Sequence, residues 1–138
     1  MVLSCFTVAA LVTVPVMSQG REARLSGAQM RSIAIVAVRA KEPAALRLPK
    51  FELLREDNHA GYAWFEAVAD TQGSVHQGFV VVDPRTGDAW DGVTECGDIT
   101  SPELGRLQRK LRSEIGLSHG AYSKVRRRGP LCDQPAIR

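Results

Sequence analysis

Between Gly61 and Gly116 the chain shows strand-like runs separated by turn sequences and then a helical pattern, and this order restricts the fold strongly. Residues 62–69 alternate in side-chain character with the period of two that is typical of a strand. Residues 75–83 form a second strand-like run, and residues 84–87, with the sequence Pro-Arg-Thr-Gly, are typical of a tight hairpin loop. Short neighbouring strands joined by tight turns predict an antiparallel sheet.

Two further segments extend this sheet. Residues 51–56 follow a proline and precede a polar turn cluster at residues 57–61, so they predict a strand before residue 62. Residues 88–91 return from the hairpin, and Gln72-Gly73 predicts the turn between the two central strands. The sequence therefore predicts a four-stranded antiparallel meander.

A helix before the sheet is predicted by a capping box, in which Ser26 is followed three residues later by Gln29. The predicted helix runs over residues 27–41 and ends before Pro43. It is apolar around most of its circumference, so the rest of the fold must cover it. The alternative is a strand over residues 32–38, which contain several β-branched side chains.

A second helix is predicted after the sheet. Ser101 is suited to the N-cap, Pro102 to the first helical position and Glu103 to the positive end of the helix. An apolar stripe follows at spacings of three and four residues, namely Leu104, Leu107, Leu111 and Ile115. Gly116 ends this helix. The fold class is thus α+β, with one helix packed on the sheet and a second after it.

The first 20 residues carry no charged side chain and predict a signal peptide. Their apolar run, residues 5–17, is shorter than the roughly 20 residues that a membrane span needs. A basic residue after Met1 is missing from this pattern, and a buried strand over residues 6–16 is the alternative. We expect one domain at residues 21–138, with a core at 26–116 and a tail at 117–138, and a periplasmic or secreted location.

The cysteines agree with export. Removal of the leader removes Cys5 and leaves Cys96 and Cys132, which can form one disulfide in an oxidising compartment. Such a bridge adds about 3–4 kcal/mol of stability by chain-entropy reasoning. The alternative is two free thiols in a reducing compartment.

The charge is segregated along the chain. Residues 21–50 carry seven basic and two acidic groups, residues 51–103 carry two basic and eleven acidic groups, and residues 106–138 carry nine basic and two acidic groups. If helices and strand loops occupy different sides, the surface is dipolar and can steer a charged partner. The alternative is that these charges are solvated faces of ordinary elements.

The sequence contains no nucleophile elbow, no phosphate-binding loop and no histidine or cysteine group at ligand spacing, so we expect no cofactor and no metal. Glu66, Asp70 and His76 are the candidates if the chain is a small enzyme with scattered site residues. Acids at such positions are more often surface groups than catalytic pairs.

Two other groups of residues admit two interpretations each. The basic run at residues 124–128 either binds an anionic envelope polymer or is solvated, and it has no alternating aromatic residues for base stacking, so nucleic acid is not an expected partner. Tyr62, Trp64 and Trp90 form a binding surface if they share an exposed face, and belong to the core if they face the helix.

Residues 26–92 resemble cystatin-like and PepSY-like small exported domains. The residues that carry the resemblance are Tyr62-x-Trp64 and the hairpin sequence Val80-Val81-Val82-Asp83-x-x-Thr86-Gly87-Asp88-x-Trp90. The resemblance implies a long helix packed into a curved antiparallel sheet. It also implies a function such as enzyme inhibition or immunity against a secreted toxin, and it supplies no catalytic residues.

The function predicted from these observations is that of a non-enzymatic exported binding protein. Its specific form is an inhibitor or immunity protein that acts on a hydrolase or toxin. The loops at residues 83–91 and 94–100 are the expected contact elements, with Asp88, Trp90 and Asp91 as the binding residues. The alternatives are an envelope-polymer binding module that uses the basic C-terminal segment, and the small enzyme described above.

Overall fold

The structure, a computed structural model, describes residues 22–71, 74–93, 97–130 and 132, with the backbone alone for residues 57–59, 71 and 74–77. The helices are α1 (Gly27–Lys41), α2 (Pro102–Glu114) and α3 (His119–Val125), and the strands are β1 (Glu52–His59), β2 (Tyr62–Thr71), β3 (Ser74–Val82) and β4 (Ala89–Asp91). A single 3₁₀ turn, Ala45–Arg47, links α1 to the sheet. The predicted α+β class is confirmed.

The four strands are antiparallel and lie in the order β1-β2-β3-β4, which confirms the predicted meander. The turn between β1 and β2 differs from the predicted five-residue cluster. β1 continues to His59, and the turn contains Ala60 and Gly61, with φ angles of 52° and 76°. Two-residue turns with positive φ match the twist of the flanking strands. Because the turn is this short, β1 includes the polar residues 57–59 that were predicted to belong to the turn. The predicted turn at residues 72–73 lies outside the described residues.

Helix α1 covers one face of the sheet and forms the main core with it. The capping box is present, since Ser26 Oγ accepts from Gln29 N and Gln29 Oε1 accepts from Ser26 N. On β2, Ala63 and Ala67 flank Phe65 on the buried face. These small residues let the helix approach closely, and the helical interpretation of residues 32–38 is confirmed.

Helix α2 packs beside α1 through the predicted stripe. Ser101 Oγ accepts from Leu104 N at 3.1 Å, and Pro102 opens the helix. Leu104 and Leu111 are buried against the core. The chain turns away at Gly116, whose φ is +73°, a conformation that favours glycine.

The opposite side of the sheet, here called the outer face, is partly covered by the residues after α3. Register pairs Trp64 with Val81 and Val81 with Trp90, so these side chains share one side of the sheet. Together with Tyr62 they form a second, smaller core cluster. Tyr62, Trp64 and Trp90 therefore share the face opposite α1 and do not face the helix. Tyr62 and Trp90 are nevertheless buried, because the C-terminal segment lies over them.

Candidate functional site

The hairpin between β3 and β4, residues 83–88, is buried inside the protein and is the centre of its polar contacts. Asp83 and Thr86 are both 0% exposed. Asp83 N donates to Asp88 O at 2.9 Å, and Gly87 N donates to Asp83 O at 2.8 Å. Gly87 has a φ of +72°, and a Cβ at this position would lie 2.9 Å from Ile33 Cδ1. Glycine is therefore required where the hairpin meets α1.

The carboxylate of Asp83 is held by two arginines. Its Oδ2 accepts from Arg127 Nε at 2.8 Å, and its Oδ1 lies 3.5 Å from Arg85 Nε and accepts from the Arg85 backbone N at 2.9 Å. Arg127 also donates to Ala60 O and Gly61 O, at 3.2 and 3.1 Å. A fully buried carboxylate requires such compensation, because an unpaired buried charge is strongly destabilising.

The carboxylate of Asp88 is the second centre. Its Oδ1 accepts from Arg112 Nη2 at 2.5 Å and from the Tyr122 hydroxyl at 3.0 Å, and its Oδ2 accepts from Thr86 Oγ1 at 3.0 Å. Arg112 Nε donates to Thr86 O at 2.6 Å, and its guanidinium lies 3.9 Å from the centre of the Tyr122 ring. One arginine thus joins α2 to the hairpin and to α3.

Burial raises the pKa of Asp88 above its ordinary value, although the charge of Arg112 and the hydrogen bonds from Thr86 and Tyr122 act in the opposite direction. Burial also raises the pKa of Tyr122, and the neighbouring negative charge of Asp88 adds to this. Tyr122 therefore remains a hydrogen-bond donor to Asp88 at neutral pH.

A cleft of about 510 Å³ opens between this hairpin, the segment after β4, the two C-terminal helices and the basic run. Arg112 and Arg127 in its lining are occupied by Asp88 and Asp83. The exposed side chains that line it include those of Arg126 and Arg128. The arrangement can hold an anionic group at its rim.

The three predicted binding residues lie in internal contacts. Asp88 is bound as described, and Trp90 is 2% exposed, with its ring 5.6 Å from that of Tyr62 in an edge-to-face arrangement. Asp91 is 8% exposed and pairs with Lys41 at 2.5 Å. In this structure the three side chains hold elements of the chain together, and their contact with a partner stays a prediction.

The second predicted contact loop is described in part. Residues 94–96 lie outside the described residues, whereas Ile99 N donates to Ala89 O at 3.0 Å and fixes the later part of the loop beside β4. Cys96 belongs to the part that is not described, so its pairing with Cys132 stays a prediction. The predicted leader, residues 1–20, also lies outside the described residues.

The residues of the alternative enzyme site are separated along the sheet. Glu66 and Asp70 are four residues apart on β2, about 13 Å at the usual rise per residue. Asp70 pairs with Lys50 at 2.8 Å, and the backbone of His76 pairs with Val68. In the described part of the chain, no group of three histidine, cysteine or acidic side chains could hold a metal ion. Within the same residues no helix is long and apolar enough to cross a membrane.

Sequence reasoning missed α3 and the roles of Arg112, Tyr122 and Arg127. Ser118 could have indicated the start of α3, because serine is favoured at N-caps. In the structure its Oγ accepts from Ala121 N at 3.2 Å. The basic run was expected either to bind an anionic envelope polymer or to be solvated. Arg127 instead turns inward, because Asp83, which directly follows β3, is buried and requires a cation.

Comparison with known proteins gives one fold likeness. No protein-family model matches the chain, and no curated protein sequence matches it. A solved chain that is similar belongs to the structure of a type VI secretion system effector–immunity complex from Pseudomonas protegens. The two chains are 23% identical, and the alignment covers 75% of this chain and 87% of that one, with a TM-score of 0.57. At this identity the likeness shows a shared fold.

Proposed function

We propose that this chain is an immunity protein that binds a secreted toxin and blocks its activity. The observation that carries the proposal is the fold shared with a chain of an effector–immunity complex, over 87% of that chain. The sequence prediction of an inhibitor or immunity protein points to the same class. It was made from the lack of a catalytic motif, a small scaffold with a predicted disulfide, and an acidic strand region between basic ends. The cystatin-like or PepSY-like resemblance of residues 26–92 remains part of this proposal.

The contacts of the cleft support a binding role over a catalytic one. Asp83 and Asp88, the carboxylates of the hairpin, accept hydrogen bonds from arginines and a tyrosine of the same chain. Carboxylates used in this way stiffen the hairpin and join it to the C-terminal helices. A rigid scaffold lowers the entropy that is lost when a partner binds.

We place the protein in the periplasm or outside the cell. The uncharged segment at residues 1–20 supports this as an export signal, and Cys96 and Cys132 support it as a disulfide pair. A toxin that reaches the cell envelope would meet its inhibitor there.

The test combines affinity capture of the toxin with a growth-protection assay. The purified chain is immobilised and exposed to the envelope fraction and culture fluid of its source, and the retained protein is identified by mass spectrometry. That protein is then expressed in exported form in a susceptible host, with and without this chain. We expect growth arrest by the captured protein alone and normal growth when both are present.

Two outcomes contradict the proposal. One is the absence of any retained protein at low salt. The other is a captured protein that arrests growth equally in both hosts, or that is harmless in both. A variant of the chain that no longer retains the toxin in vitro supplies the matched control for protection.

A second candidate function is binding of an anionic envelope polymer, which the exposed Arg126 and Arg128 at the cleft favour. Affinity for such a polymer falls steeply with added salt, because bound counterions are released. Substituting both arginines with glutamine should then abolish retention on the polymer. Unchanged retention would rule this candidate out.

A further inference from the structure

The part of the outer face farthest from the C-terminal segment carries acidic and apolar side chains in three rows. Directly opposed residues of an antiparallel pair point to the same side of a sheet, so each row is read from the register. The rows across β1 and β2 are Glu56 with Trp64, Leu54 with Glu66, and Glu52 with Val68. Phe79 extends the middle row on β3, opposite Glu66.

These rows are accessible to a partner. Leu54 is 42% exposed, Glu52 and Glu56 are exposed, and Trp64 and Phe79 are half-buried. By contrast, Arg127 and Gly129 cover the other end of the outer face, where the Arg127 guanidinium lies 3.6 Å from the centre of the Tyr62 ring. The rings of Trp64 and Phe79 lie 6.1 Å apart, centre to centre, and with Leu54 they form an apolar strip bordered by glutamates. An apolar patch with a polar rim is typical of an interaction surface.

The charge of these rows is negative. Among the side chains that the structure describes there, three are glutamates and none is lysine or arginine. Arg55 lies between Leu54 and Glu56 but points to the opposite side, because it pairs with the core residue Phe65. Lys50, beyond the last row, is paired with Asp70.

The opposite side of the protein is positive. The exposed face of α2 includes Arg106, Arg109 and Lys110. The chain therefore separates its charge between the outer face and the helical side, as the sequence segregation suggested. Such a field orients an approaching cationic surface toward the outer face and raises the rate of encounter.

The adjacent sheet edge is closed to strand addition at one point. Arg31, on α1, donates from Nη1 to the carbonyl oxygen of Leu53 at 2.7 Å. This carbonyl belongs to the edge strand β1 and is therefore occupied by a side chain of the same chain. A partner that reaches this region is directed to the face of the sheet rather than to main-chain pairing along its edge.

We infer that the toxin partner docks a cationic surface on this acidic patch, defined as Glu52, Leu54, Glu56, Trp64 and Glu66. The inference rests on the proposed function and adds the chemistry of the partner. Lysine and arginine side chains of the toxin face the exposed Glu52 and Glu56, and an apolar patch between them covers Leu54 and Trp64. This contact does not require the predicted binding residues Asp88, Trp90 and Asp91.

The test compares charge reversals on two surfaces. The double variant E52K/E56K reverses the patch, and E22K/E42K makes the same chemical change at two exposed glutamates elsewhere. Each variant and the original chain are used for capture, and the retained toxin is purified and titrated by calorimetry. Circular dichroism verifies that each variant is folded, and E52Q/E56Q replaces the reversal if that variant is not.

We expect E52K/E56K to weaken toxin binding by at least about tenfold and to reduce its salt dependence, with a change below about twofold in E22K/E42K. Equal affinity of all three proteins would overturn the docking surface and leave the immunity role standing. Equal losses in both variants would also overturn it, since net charge alone would then explain the effect. If the original chain retains no toxin, the immunity role fails and the docking surface fails with it.

Discussion

Arg127 Nε and Asp83 Oδ2 lie 2.8 Å apart although the two residues are separated by 44 positions in the chain. Asp83 directly follows strand β3 inside the protein, and Arg127 lies in the segment that follows α3. Since the same guanidinium stacks on Tyr62, this ion pair fixes the C-terminal segment across the outer face. The small aromatic cluster is buried as a consequence.

We predict that R127A lowers the free energy of unfolding by about 3 kcal/mol, because breaking a buried ion pair leaves an uncompensated charge. Urea denaturation measures the effect. The matched control is R128A, at the exposed neighbouring arginine, for which we expect a change within about 0.5 kcal/mol. Similar small effects in both variants would show that Arg85 alone compensates Asp83.

The raised pKa of Asp88 predicts a pH dependence of stability. The folded protein holds this proton more tightly than the unfolded chain, in which the pKa is near 3.8. The stability that Asp88 contributes is therefore complete below that pH and is lost as the pH rises through the folded pKa. Relative to D88N, the original protein should become less stable as the pH rises from about 3 to about 7.

Urea denaturation of both proteins across this range measures the difference in unfolding free energy. Y122F provides a directional control. It removes a hydrogen bond that stabilises the charged carboxylate, so the folded pKa of Asp88 should rise further. The pH-dependent loss of stability should then occur at higher pH. A difference that stays constant with pH would contradict the assignment for Asp88.

The contact between Gly129 and Trp90 predicts a severe effect of a single methyl group. A Cβ at Gly129 would lie 2.8 Å from Trp90 Cδ1 and Nε1, and the φ of Gly129 is +115°. We expect G129A to destabilise the protein by about 1–3 kcal/mol and to change the tryptophan emission.

The matched glycine is Gly120, which has open space around its Cα and lies in α3. G120A should be neutral or stabilising by up to about 1 kcal/mol, since alanine favours a helix. Thermal unfolding followed by fluorescence compares the two variants. Equal behaviour would show that the segment after α3 does not pack on Trp90.

The turn between β1 and β2 predicts a stabilising substitution. Ala60 has a φ of 52°, which is unfavourable for a residue with a Cβ, and Gly61 has a φ of 76°. A60G should raise the free energy of unfolding by about 1 kcal/mol, whereas G61A should lower it by a similar amount. Chemical denaturation of both variants measures the two shifts. If A60G lowered the free energy of unfolding, residue 60 would not have the positive φ described here.

Local signals predicted the ends of α1 and α2 closely. The Ser26–Gln29 capping box and the Ser101-Pro102 pair act through neighbouring backbone groups, so their effect is visible in the sequence itself. The alternation at residues 62–69 likewise identified strand β2. The end of β1 was missed because its last polar residues are permitted at a sheet edge.

The candidate site was predicted less well because its contacts are distant in sequence. Asp88, Trp90 and Asp91 were identified as a group, but Asp88 is bound by Arg112 and Tyr122. Asp91 is bound by Lys41 from α1, and Trp90 packs against Gly129. A hydrophilic sequence motif does not show whether its charges meet solvent, a partner or another part of the same chain.

By itself the sequence determined the α+β class, the order of the elements from α1 to α2, the starts of these two helices and the separation of charge along the chain. These depend on backbone propensity, on capping and on periodicity, all of which act over a few residues. Only the tertiary structure decided that Arg127 and Arg112 turn inward while Arg126 and Arg128 remain at the surface. The physical reason is desolvation: the buried carboxylate of Asp83 and the half-buried carboxylate of Asp88 require cations, and the folded geometry determines which arginines reach them.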